Sequence, residues 1–86
     1  MWSFADCFRL AFLCAGISNI EKIYNCFTRV HVAVKNLDAV SPENREKLKR
    51  LPLVKSLLVR GNEIQLVIGM ESIAISAACN KHLGIS

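Results

Sequence analysis

Cys26, Thr28, Arg29 and His31 fall together in the segment Asn25-Cys26-Phe27-Thr28-Arg29-Val30-His31, a thiol followed closely by a hydroxyl and two side chains able to carry positive charge. A thiol reacts as its thiolate, and nearby cations stabilise that form while attracting an anion. The combination describes a nucleophile that handles phosphate. Each residue also has a plainer reading, since a free cysteine is often a small buried hydrophobe and Arg29 and His31 can belong to a solvated strand face. Cys7, Cys14 and Cys79 read in that plainer way.

Such side chains need a strand to present them. Beyond Phe27 the run alternates in period two, so that Val30, Val32 and Val34 face one side while Arg29, His31 and Ala33 face the other. The valines predict a core face. Ile20 to Asn25 reads as one strand and Thr28 to Lys35 as the next, a hairpin with Cys26 at its tip, where backbone N–H groups are free to receive a phosphoryl oxygen. Leu53 to Arg60 and Ile64 to Ile68, joined through Gly61-Asn62 and closed by Gly69, read as a second hairpin.

Three helices complete the chain. Projected at 100° per residue, positions 1–16 gather Phe4, Cys7, Phe8, Ala11, Phe12, Cys14 and Ala15 on one arc, opposite Ser3, Asp6 and Arg9. Trp2, Leu10 and Leu13 then fall on an outer arc, either as ordinary exposed residues or as a docking surface for a membrane partner. Ser41-Pro42-Glu43-Asn44 starts a second helix, with Ser as N-cap and Pro at the first helical position. Leu48 and Leu51 turn inward, the basic residues Arg45, Lys47, Lys49 and Arg50 form a solvated face, and Pro52 ends the helix. A third helix spans Glu71 to Leu83, with Ile73, Ala74, Ala77 and Ala78 at helical spacing and Gly84 as its stop. The order α-β-β-α-β-β-α predicts an α+β fold with the helices packed on one face of the hairpins.

With 86 residues, 52% hydrophobic and 21% charged, the chain is expected to form a single domain over 1–86 rather than a disordered segment. A net charge of +4 admits acidic or phosphorylated partners. The N-terminal apolar run lacks a basic leader, is interrupted by Asp6 and Arg9, and is too short to span a bilayer, which argues against a signal peptide. The cysteine spacings then predict free thiols in a reducing cytosol.

The Cys26 segment resembles the phosphorylation-site signature of the enzyme IIB domain of the bacterial sugar phosphotransferase system (PTS), glucose and glucoside superfamily. Members carry a Cys followed after one residue by Thr-Arg, an apolar residue and usually Arg; Cys26, Thr28, Arg29 and Val30 match. A second block, Gly61-Asn62-Glu63-Ile64-Gln65-Leu66-Val67-Ile68-Gly69, resembles the family's glycine turn, Gln-bearing strand and terminal glycine. The likeness runs from about Ile17 to the last helix. It implies a four-stranded antiparallel sheet with three helices on one face, and a phosphocarrier without cofactor or metal. Cys26 would accept a phosphoryl group from a phosphohistidine of a IIA domain and pass it to a sugar bound by a membrane-embedded IIC permease. That relay implies a cytoplasmic domain at the inner face of the membrane. Phe27 and Thr28 amides, the Thr28 hydroxyl, Arg29 and His31 would cradle the group; a guanidinium forks onto phosphate in a way an ammonium does not. Two positions depart from the pattern: His31 replaces the second Arg, and Tyr24 stands where an acidic residue often lies two positions before the Cys.

Three other readings compete. A metal site built on Cys79-Asn80-Lys81-His82 lacks any CxxC pair or zinc-like spacing. A cysteine phosphatase needs a Cys-x5-Arg loop, and the sixth position after Cys26 is Val32. A catalytically weak IIB-like binding or regulatory module, or a remnant of one, fits His31 and the missing acid. Nucleic acid is not an expected partner, because no aromatic residues interleave the basic helix.

Overall fold

The computed structural model describes residues 2–85. Strands β1 (Ile20–Cys26) and β2 (Arg29–Val34) form the first hairpin, and β3 (Ser56–Arg60) and β4 (Glu63–Val67) the second. They join in one sheet of order β1-β2-β4-β3, every neighbouring pair antiparallel. One strand of each hairpin is therefore central. The central strands carry the strongest apolar alternation, and their inward residues Val30, Val32, Val34, Ile64 and Leu66 are each 0% exposed.

Helices α1 (Phe4–Leu13), α2 (Pro42–Leu48) and α3 (Ser72–Leu83) cover that valine face. Cys7 and Leu10 of α1, Leu48 of α2, and Ile75 and Cys79 of α3 join its residues in one hydrophobic cluster. The order and α+β class match the sequence reading. The helix starts are local in origin: Ser3 and Asp6 form a reciprocal capping box, and Ser41 Oγ accepts from Asn44 N at 3.1 Å. Such a cap is worth about 1 kcal/mol. Gly84 at φ 70° ends α3 in the left-handed conformation.

Three expectations need correction. On α1 the buried residues are Cys7, Leu10, Ala11 and Leu13, with Trp2 and Cys14 flanking, whereas Phe4, Phe8 and Phe12 are exposed, Phe12 at 75%. The core stripe is thus rotated by roughly a quarter turn at 100° per residue. Cys7, common to both stripes, brings α1 close to α3: its Sγ lies 3.1 Å from Cys79 Sγ, a separation that small side chains permit and phenyl rings do not. Trp2, Leu10 and Leu13 belong to the core, so they offer no docking surface; Trp2 Nε1 donates to Pro52 O. On α3 the inward residues are Ser72, Ile75, Ser76, Cys79 and Leu83, while Ile73 is exposed. Finally, β3 begins at Ser56 rather than Leu53, because Leu53 takes φ 70° and Val54 N turns back to Leu51 O.

No described helix is long and apolar enough to cross a membrane.

Candidate active site

Cys26 and Arg29 are the last paired residues of the β1–β2 hairpin, leaving Phe27 and Thr28 as its turn. So tight a reversal places Phe27 at φ 53°, a backbone region that costs a non-glycine residue on the order of 1 kcal/mol. The surroundings hold it there. Phe27 O accepts from Ser72 Oγ at 2.9 Å, and Thr28 O accepts from both Ile68 N and Gly69 N at 2.9 Å. Gly69 itself sits at φ 128°, where an added Cβ would lie 3.2 Å from Glu71 Oε1, so the return from β4 into α3 depends on glycine. Among the described residues no acceptor takes the amides of Phe27 or Thr28, which remain available at the tip.

Cys26 is exposed, unlike the other three thiols. Burial pushes Cys14 up to about 12, and burial first, then the contact with Cys7, raises Cys79 further. Those groups stay protonated and pack. Beside Cys26 lies a shallow depression of about 420 Å³, lined by Cys26, Phe27, Thr28, Arg29, His31, Arg60 and Gln65. All five residues singled out in the sequence thus border one space. Phe27 is 89% exposed.

The floor of this space is the open face of the sheet, where cross-strand register aligns Tyr24, His31, Gln65 and Leu58 in a row from β1 to β3. His31 and Gln65 are buried on this uncovered face because neighbours roof them: the Tyr24 ring stacks on His31 with centroids 4.7 Å apart. Gln65 Oε1 accepts from an Arg29 guanidinium nitrogen at 3.1 Å, fixing the fork beside the thiol. Glu63 accepts from the Tyr24 hydroxyl on one oxygen; its other oxygen lies 3.0 Å from His31 Nδ1 and 3.5 Å from Gln65 Nε2. Lys22 Nζ lies 4.9 Å above the Tyr24 ring.

Arg60, Gln65 and Glu63 were not among the residues singled out for the site. Gln65 and Glu63 lie in the block Gly61–Gly69, and period-two spacing puts them on one face. Only the β2–β4 register shows that this face is the one carrying His31. The Cys79 and His82 of the metal reading do not converge, since Cys79 is buried against Cys7 while exposed His82 meets the Phe4 ring edge-on at 4.9 Å.

The Tyr24 hydroxyl first, and then His31, hold the Glu63 carboxyl below its ordinary value, while the same bond to Glu63 pushes Tyr24 up to about 12. A carboxyl depressed in the fold binds a proton more readily unfolded, so its stabilisation is complete above the unfolded value and is lost as pH falls through the folded one. Unfolding midpoints measured from pH 7 to pH 3 should therefore fall less steeply below about pH 4.5 for Glu63→Gln than for the wild type. Equal slopes would show the carboxylate to be idle.

Two arginines, a hydroxyl and open amides around an exposed thiol can bind a doubly charged tetrahedral group. Among the described residues no three His, Cys, Asp or Glu side chains cluster closely enough to hold a metal ion. Neither a protein-family model nor a curated protein matches the chain. A solved structure does: one domain of the PTS system IIabc component from Clostridium difficile superposes with a TM-score of 0.66 over 96% of this chain and 87% of that chain. At 21% sequence identity, what the two share is the fold.

Proposed function

We propose that this chain is a IIB-type phosphocarrier of a sugar phosphotransferase system, with Cys26 as the residue that carries the phosphoryl group. The observation that carries the proposal is the exposed thiol at the mouth of a depression bordered by Arg29, Arg60, His31 and the Thr28 hydroxyl. The fold shared with a domain of a PTS component supports it.

In the first step the Cys26 thiol gives its proton to solvent and the thiolate attacks phosphorus on a phosphohistidine of a IIA domain. The S–P bond forms as the P–N bond breaks, and the imidazole nitrogen keeps the electron pair and is protonated. In the second step a sugar hydroxyl held by a IIC permease attacks the same phosphorus; the O–P bond forms, the thiolate leaves, and the hydroxyl proton passes to solvent. Phosphoryl transfer asks for positioning and neutralised oxygens rather than for strong acid or base groups. Arg29, aimed by Gln65, and the amides of the Phe27-Thr28 turn supply these.

The test is intact-mass spectrometry after incubation with a phosphorylated IIA domain. The expected result is one added phosphoryl group. No addition, with the IIA domain shown to be phosphorylated, would favour a IIB-like binding module. Glu63 is the observation behind that second reading, since it brings a carboxylate to the face that must attract an anion.

A further inference from the structure

A histidine beside a phosphoryl-accepting thiol donates through both ring nitrogens only while both are protonated; once neutral, it keeps one proton, and its surroundings decide where. Here the two nitrogens face different partners. Nδ1 lies 3.0 Å from Glu63 Oε1, and an ionised carboxylate can only accept, so this contact requires the proton on Nδ1. Nε2 has no hydrogen-bond partner among the described residues, and the ring borders the depression beside Cys26. Glu63 is itself held. Its second oxygen accepts from the Tyr24 hydroxyl, and the Tyr24 ring, stacked on the imidazole at an interplanar angle of 29°, fixes the ring plane.

We propose that Glu63 is a positioning residue: braced by Tyr24, its carboxylate pins the proton on His31 Nδ1 and so presents Nε2 as the ring nitrogen that meets a phosphoryl group on Cys26. The functional half of this inference rests on the phosphocarrier reading; the proton's location does not. The charged and titratable groups sharing the open face with the ring are Lys22, Tyr24 and Cys26 from β1, Arg29 from β2, Arg60 from β3 and Glu63 from β4. Arg29 is directed to Gln65 and Lys22 lies over the Tyr24 ring, so Glu63 is the charged group in contact with a ring nitrogen. With the imidazole protonated, Nε2–H donates to a phosphoryl oxygen. With it neutral and Nδ1 occupied, Nε2 offers a lone pair to an anion and repels it. The neutral ring therefore contributes no donor to the phosphoryl group, and this loss is built in by Glu63.

The experiment is nitrogen-15 NMR of the His31 ring in the wild type, Glu63→Ala and Tyr24→Phe, read above the imidazole titration and paired with the rate of phosphoryl acceptance. The wild type is expected to show the Nδ1–H form alone. Glu63→Ala should shift it to a mixture or to Nε2–H, raise acceptance relative to the wild type at the same pH where the ring is neutral, and slow it by about tenfold where the ring is protonated, the scale at which partners orienting a functional histidine act. Tyr24→Phe should keep Nδ1–H but broaden the ring signals. An Nε2–H form in the wild type, or a tautomer unchanged in Glu63→Ala, overturns the inference. Absence of any phosphoryl acceptance by the wild type overturns the phosphocarrier reading and with it the role in transfer, while the NMR result still decides what Glu63 does to the ring. Should Glu63→Ala fail to fold, Glu63→Gln, which can donate to Nδ1 as well as accept, supplies the same comparison.

Discussion

Cys26→Ser is expected to abolish phosphoryl acceptance, lowering it by at least about a hundredfold, while leaving the fold intact. The loss follows from ionisation. A serine hydroxyl in the same place has the same reach but is a far weaker acid than a thiol and stays almost wholly protonated near neutral pH, so it presents little of the anionic nucleophile. Stability should move by no more than about 0.5 kcal/mol, because Cys26 is exposed and makes no bond that a hydroxyl would forfeit. Intact-mass spectrometry and a urea titration on the same sample give both readings. Retained acceptance would transfer the phosphoryl group to another residue and remove the central claim about the site.

Leu66→Ala should destabilise the fold by about 2–5 kcal/mol, a large part of the stability of a domain this small. Leu66 is 0% exposed on central strand β4, opposite Val30 of β2 and Leu57 of β3, under the helices. Close packing on every side leaves a cavity that cannot collapse. Leu58 on the open face of β3 is the control: it is 39% exposed, and its replacement by Ala should cost less than about 1 kcal/mol. Urea midpoints that fall equally for the two variants would mean that the helices do not distinguish the faces of the sheet.

The hairpin turns and the helix starts were legible in the sequence because they depend on near neighbours, whereas α2 ends at Leu48 and not at Pro52. Ser41-Pro42, Gly61-Asn62 and Gly84 each set a local backbone conformation. Helix faces were harder. On α1, apolar residues spread over an arc wider than the core could use, and which part is buried depends on the packing against α3, where Cys7 meets Cys79. On α3, Ser72 is inward because Phe27 O accepts from its hydroxyl, a pairing that depends on the first hairpin, while the Ser76 hydroxyl lies within reach of both Ile73 O of its own helix and Asn25 Oδ1. The site was legible to the same degree. Cys26, Thr28, Arg29 and His31 are neighbours in the chain, whereas Glu63, Gln65 and Arg60 reach them through strand register, which residue order along the chain does not encode.

The turn that carries the thiol is tied down from the far end of the chain. Residues through Val34 suffice to pair β1 with β2, but the carbonyls of Phe27 and Thr28 find their partners on Ile68, Gly69 and Ser72. On the ribosome, where the N-terminal part of a chain emerges first, the hairpin can therefore form with its tip still loose. Cys26 acquires its fixed setting only once the segment through Ser72 has been made, so a product stalled or truncated before it exposes a cysteine on an untethered turn.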